Sequence, residues 1–264
     1  MATSLTQAQT KPTDHTAHLK DFQVIEFRRY TIKAGEREHF AQYFESYFPE
    51  AIQQLGGIAF GQFLERDNQS HFTWIRGFHD YDARAVVNGA LYSGPLWKEH
   101  ADTMNALMLD SDNVLLLQPL TPKREIPVLP AVDPVYEPAG AQGVVVAQIF
   151  AVKPNTIDAF ARQAESAFAE YQSRGAHEAS VLVTLDVPNN FPKLPFRTDG
   201  PFLVWLGVLK DDQTLKTQFQ PLANRSAESL SASGLLRAAT ELVVMDPAHR
   251  SRLRWLSEWQ HGTN

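Results

Sequence analysis

One order of elements runs through this chain twice, and that repeat restricts the available folds more sharply than composition does. Gln23 to Ile32 alternate β-branched and aromatic residues with polar ones, as a half-buried strand does. From Glu36 to Leu55 the residues Phe40, Phe44, Tyr47, Ile52 and Leu55 recur at helical steps until Gly56 and Gly57 stop them; Pro49 should kink this helix or end it early. Strands are expected at Ile58 to Glu65 and Phe72 to Phe78, joined through the turn-rich Asp67-Asn68-Gln69-Ser70. A second helical region begins near Asp80 and breaks at Ser93-Gly94-Pro95. It resumes with Trp97, Ala101, Met104 and Met108, and a short buried strand follows from Asn113 to Gln118.

After a proline-rich connection the order starts again with Val144 to Val152. Ile157, Phe160, Ala164, Phe168 and Tyr171 trace a helix ending before Gly175, with Asn155 and Asp158 as its expected capping pair. Strands at Ser180 to Val187 and Phe202 to Leu209, a helix from about Asp211 to Ser231 and a strand at Glu241 to Met245 complete the copy, and a short helix near the end carries Trp255 and Trp259. The order β, α, β, β, α, β is that of a ferredoxin-like unit, whose sheet has one face under helices and the other uncovered. Two tandem units can bury those bare faces against each other, so the expected fold class is α+β: two ferredoxin-like units forming a dimeric-α/β-barrel-type arrangement within one chain. The expected division is a flexible tail at 1–20, a first unit at 21–121, a linker at 122–142, a second unit at 143–247 and a C-terminal tail at 248–264.

Composition excludes several functional classes. With no cysteine, disulfides, thiolate metal sites, iron–sulfur clusters and a cysteine nucleophile are ruled out, and a cytoplasmic location is expected. A net charge of −6 with no basic tract argues against a nucleic-acid partner. No apolar run approaches the roughly 18 residues of a membrane span, and the first twenty residues lack the apolar core of a secretory signal. The nine histidines show no His-Glu-x-x-His or other tight ligand spacing, so no metal is expected. Nor does the chain contain a nucleophile elbow, a phosphate-binding loop or a dinucleotide fingerprint.

Several segments carry a family resemblance. Glu26-Phe27-Arg28-Arg29-Tyr30-Thr31, Phe72-Thr73-Trp74-Ile75-Arg76-Gly77-Phe78, Ala90-Leu91-Tyr92-Ser93-Gly94-Pro95-Leu96-Trp97 and Ser111-Asp112-Asn113-Val114-Leu115-Leu116-Leu117 resemble the NIPSNAP family of the dimeric α/β-barrel superfamily. In the second copy Asn190-Phe191-Pro192-Lys193-Leu194-Pro195 is also similar to family members. The resemblance implies the fold and no catalytic signature. The superfamily includes cofactor-free oxygenases, degradative enzymes that bind small acidic aromatic molecules, and haem proteins.

One strand face distinguishes the copies. Glu26, Arg28 and Tyr30 share a face of the first strand, and Trp74, Arg76 and Phe78 of the third strand should lie beside them. The opposite face, with Ile25 and Phe27, is the more apolar and should meet the helices, which directs the charged row into the barrel. With Gly77 set against Gly207, the second copy presents Val146, Gln148, Phe150, Val204 and Leu206 at these positions. Two guanidiniums against one carboxylate leave a positive excess that water, another acid or an anionic ligand must balance.

The row is thus either a structural ion-pair network or a ligand site; the candidate ligand site is Glu26, Arg28, Tyr30, Trp74 and Arg76, with Tyr92 and Trp97 either packed in the core or serving as walls for an apolar or aromatic body. His79 and His100 are the candidate proton carriers. Haem would need an axial histidine, and His177 falls at a loop-like position, so no cofactor is expected and haem is the alternative. The stiff segment Pro188 to Gly200 is read as a lid or an interface arm. The function expected is binding of a small acidic, partly apolar molecule in the first unit. The alternatives are a cofactor-independent oxygenase or isomerase, and a noncatalytic assembly protein; a homo-oligomer is compatible with each.

Overall fold

The computed structural model describes residues 16–261. The first unit comprises β1 (Val24–Ile32), α1 (Arg37–Gln54), β2 (Gly57–Glu65), β3 (His71–Phe78), α2 (Tyr81–Ser93), α3 (Pro95–Leu107) and β4 (Met108–Pro119). The second comprises β5 (Val144–Ala151), α4 (Ile157–Ser173), β6 (Ala176–Thr184), β7 (Phe202–Leu209), α5 (Asp212–Thr214), a π-helical turn (Leu215–Phe219), α6 (Gln220–Ser231) and β8 (Glu241–Pro247). The strands close into a barrel in the order β1-β3-β2-β8-β5-β7-β6-β4, which is one ferredoxin-like sheet joined to its copy along two seams. At one seam Leu64 pairs with Asp246, and at the other Gln118 pairs with Val183. A single chain therefore closes the barrel and leaves neither sheet with a free edge.

The lumen is filled by Ile25 and Phe27 of β1, Ile75 of β3, Leu115 and Leu117 of β4, and Val145, Val204, Leu206 and Met245 of the second unit. This reverses the expected orientation of β1: its apolar face lines the barrel, and the charged row lies outward beneath the helices of its own unit. Alternation separates the two faces of a strand without saying which is inside, and here both are buried. The lumen is enclosed by strands on all sides, so hydrocarbon belongs there. The outer face has a helix that can supply a polar partner.

Other departures are local. Helix α1 runs through Pro49, because Phe44, Phe48 and Ile52 are buried along its packed face. Strand β4 starts at Met108, which takes that residue out of the helix. Strand β6 spans 176–184 rather than 180–187, placing His177 on a strand, where it stacks on Trp259. Thr156, with no side-chain capping bond, precedes α4 in place of the expected Asn155–Asp158 pair; Asn155 has φ of 63°. Residues 1–15 of the expected N-terminal tail and 262–264 of the C-terminal one lie outside the described residues. The described parts pack against the barrel: Leu19, Trp255 and Trp259 lie on its core, and Leu253 is buried.

Candidate functional site

The outward face of β1 presents Glu26, Arg28 and Tyr30, and cross-strand register sets Glu26 opposite Arg76 and Arg28 opposite Trp74. The structure thus brings together five of the expected residues: Glu26, Arg28, Tyr30, Trp74 and Arg76. Helix α2 adds two more. Asp80 caps it, accepting from the Ala83 amide, and this phase turns Arg84 and Asn88, one helical turn apart, toward the sheet.

Three guanidiniums converge on one carboxylate. Arg76 Nε donates to Glu26 Oε2 at 2.6 Å, Arg28 Nη1 to the same oxygen at 2.8 Å, and Arg84 Nε to Oε1 at 2.6 Å. Arg28 Nε also donates to the Tyr30 hydroxyl at 2.8 Å. All four ionisable side chains are 0% exposed, as is Asn88. The guanidiniums lie against aromatic rings, with Arg76 5.0 Å from the Trp74 ring centre and Arg28 5.4 Å from that of Tyr30.

Among the described residues, Glu26 is the only carboxylate that ion-pairs with these arginines, so two positive charges stay uncompensated within the protein. Burial alone would raise the Glu26 carboxyl, but Arg76, Arg28 and Arg84 outweigh it and hold it far below the usual carboxylate range. Arg76 Nη1 and Nη2, Arg84 Nη2, Trp74 Nε1 and both amide atoms of Asn88 are buried without a hydrogen-bond partner in the protein. Such groups are rare in folded proteins and costly when unpaired.

Beside this cluster lies a cavity of about 30 Å³ walled by Trp74, Leu91, Tyr92, Trp97, Phe48 and Met104. Tyr92 and Trp97 meet edge to face at 4.8 Å across the α2–α3 break, as the sequence places them. Gly94 makes the break: a Cβ there would lie 2.6 Å from the Ala90 carbonyl oxygen. The Tyr92 phenol is pushed up, first by burial and then by Tyr30 and Glu26, against the lowering pull of Arg76 and Arg28.

The segment 188–200 of the second unit covers this compartment. Arg84 Nη1 donates to Asn189 Oδ1 at 3.1 Å and Asn190 Oδ1 at 2.7 Å, and the Tyr81 hydroxyl donates to the Pro188 carbonyl at 2.7 Å. Phe191 packs on Tyr92 and Phe196 on Arg84.

The two histidines stand apart from the cluster. His79, exposed, stacks on Phe22 with its Nδ1 3.2 Å from the Asp21 carbonyl oxygen, while His100 stacks on Tyr47 with its Nδ1 2.7 Å from the Tyr43 hydroxyl. Among the described residues no group of His, Asp and Glu could hold a metal ion, and no helix is long and apolar enough to cross a membrane.

The structure also corrects the alignment of the copies. Val24 pairs with Phe78 and Val144 with Leu209, so Arg76 corresponds to Gly207 and Trp74 to Trp205, one residue from the expected match. Asp211 caps its helix by accepting from the Thr214 amide, as Asp80 accepts from that of Ala83, which sets Arg84 against Leu215 and Asn88 against Phe219. In the second unit the Trp205 indole lies over Gly207 and stacks on Phe219, and Tyr171 donates to Gln148 Oε1 at 2.7 Å. That compartment is packed with hydrocarbon and amide where the first holds four ions.

Sequence reasoning missed Arg84, Asn88, Asn189 and Asn190. The matching Asp80 and Asp211 caps could have revealed Arg84, since they align it with an apolar residue of the other copy.

The NIPSNAP family model matches residues 25–121, which span most of the first unit; the second unit lies outside the match. No curated protein matches the chain. Among solved structures, an anthrone oxidase-like protein is 10% identical, with 90% of this chain and 97% of that one covered at a TM-score of 0.56. A monooxygenase-like protein from Lactobacillus acidophilus is 13% identical over 86% of this chain and 94% of that one, at a TM-score of 0.52. A NIPSNAP family protein from Agrobacterium tumefaciens is 20% identical over 40% of this chain and 94% of that one, at a TM-score of 0.35. The first two share this chain's fold.

Proposed function

We propose that this protein, whose first unit matches the NIPSNAP family model, binds a small anionic molecule with an apolar or aromatic body between the first sheet and helices α2 and α3. One observation carries the reading: three fully buried guanidiniums share a single carboxylate and leave terminal nitrogens unpaired, while Tyr30 and Trp74, against which Arg28 and Arg76 lie, also wall an apolar cavity. An arginine fork matches a carboxylate or phosphate in geometry as well as charge. The Tyr92, Trp97 and Met104 walls suit a hydrocarbon body.

The fold does not require this charge, because the second unit makes the same sheet and helices with Val146, Gly207 and Leu215 at the positions of Glu26, Arg76 and Arg84. A cavity of about 30 Å³ has room for only a water or two. An aryl acid therefore enters when α2, α3 and segment 188–200 part, with Gly94 as the weak point between the helices. The enzyme alternative has less support, since neither His79 nor His100 contacts the arginine cluster.

Isothermal titration with benzoate, phenylacetate and phthalate tests the reading. Binding by one or more of them, lost in Arg76→Leu with little change in melting temperature, is the expected result. Absence of binding by all three and by phenyl phosphate, or binding retained in Arg76→Leu, would refute it.

A further inference from the structure

We infer that the head group accepted by this site carries two negative charges on adjacent oxyanions, as a vicinal dicarboxylate or a phosphate monoester does. The inference rests on the binding reading above and names the head group.

Arginine stays protonated in proteins, so Arg28, Arg76 and Arg84 each carry a full charge. Glu26 cancels one of the three. Asn189 and Asn190 give Arg84 neutral oxygens, which satisfy donors without removing charge. A monoanion would leave one guanidinium buried and unbalanced, whereas a dianion brings the compartment to neutrality.

The unused donors give the same count independently of the charges. Both terminal nitrogens of Arg76 are free on the sheet side, and Arg84 Nη2 and Asn88 Nδ2 are free on the helix side. A single carboxylate docked on the Arg76 fork satisfies the sheet side and leaves the helix side unpaired. Two adjacent carboxylates, or the three terminal oxygens of a phosphate, can face both walls. With the head group there, the body extends one turn along α2 from Asn88 toward Leu91 and Tyr92, which wall the cavity.

The experiment compares benzoate, phthalate and phenyl phosphate by isothermal titration at near-neutral pH, in the full chain and in Arg84→Leu. The expected result is that phthalate, phenyl phosphate or both bind about tenfold or more tightly than benzoate, a difference of about 1.4 kcal/mol. The advantage should shrink toward unity in Arg84→Leu, which lacks one charge. Phthalate alone would assign a dicarboxylate, and phenyl phosphate alone a phosphate monoester. If Arg84→Leu does not fold, Arg84→Gln removes the same charge while keeping a polar side chain and reads the same ratio. Benzoate binding as tightly as both dianions, or an advantage unchanged in the charge-deleted variant, overturns the inference while leaving the anion site standing. No binding by any of the three, nor by phenylacetate, overturns both.

Discussion

Arg84 of α2 donates to Glu26 of β1 at 2.6 Å, and this bond fixes the polar row under a helix instead of inside the barrel. It also brings a third positive charge to one carboxylate, so the energetic roles of the partners are unequal.

Removing the acid should be far more damaging than removing a base. Glu26→Gln leaves three buried guanidiniums with no counter-charge, and breaking a buried pair in this way costs about 3–5 kcal/mol. Arg84→Leu lowers the local charge excess from two to one and should cost less. Urea denaturation of both variants measures the difference; equal losses would mean that the cluster is a balanced structural network.

Acid should unfold the protein through the same carboxylate. Burial would raise Glu26 and Glu65, but Arg76, Arg28 and Arg84 hold Glu26 down, and Arg29, Thr73 and His71 hold Glu65 down. A carboxylate with a depressed folded pKa stabilises the fold above its unfolded value, about 4.3, and loses that contribution as pH falls toward the folded value. Glu45, pushed up by burial, acts in the opposite sense. Melting temperature should therefore fall steeply below about pH 4, with a shallower slope in Glu26→Gln. A flat profile through this range would contradict the assignment.

How far the sequence revealed all this differs from element to element. Strand alternation identified Glu26, Arg28, Tyr30 and Arg76 as one face, because a period of two is visible in a single strand. It did not reveal which side that face takes, because both sides of β1 are buried and its apolar residues serve the lumen. Arg84 escaped notice because it lies on a helix with exposed charged neighbours, and its partner is fixed by tertiary packing. Aligning Gly77 with Gly207 was misleading: Gly77 faces the lumen, whereas Gly207 lies under Trp205 on the helix side. A one-residue slip exchanges the two faces of a strand.

Segment 188–200 should hold α2 in place. In the double variant Asn189→Ala and Asn190→Ala, Arg84 Nη1 loses both acceptors. Loss of hydrogen bonds to a charged group is worth about 1.5–3 kcal/mol, so amides of Tyr81 to Ser93 should exchange roughly tenfold faster or more. Mass-detected hydrogen exchange reads this directly, and unchanged protection would show that the segment merely lies over the helix.

The two units should not behave alike when separated. A fragment of residues 21–121 would expose Ile25, Phe27, Ile75, Leu115 and Leu117, which the second unit covers in the full chain. An exposed apolar face of that kind drives association. Light scattering should show a dimer or larger species, and a stable monomer would mean that the lumen face tolerates water.

On the proposed reading, the buried arginines hold an anion whose apolar body lies between α2, α3 and the first sheet. A crystal soaked with 4-bromophthalate tests it most directly, because bromine scatters anomalously. Carboxylate density is expected at Arg76 and Arg84, with the bromine peak beside Tyr92 and Trp97. Bromine found only on the outer surface or in the lumen, with the arginine cluster unchanged, would contradict it.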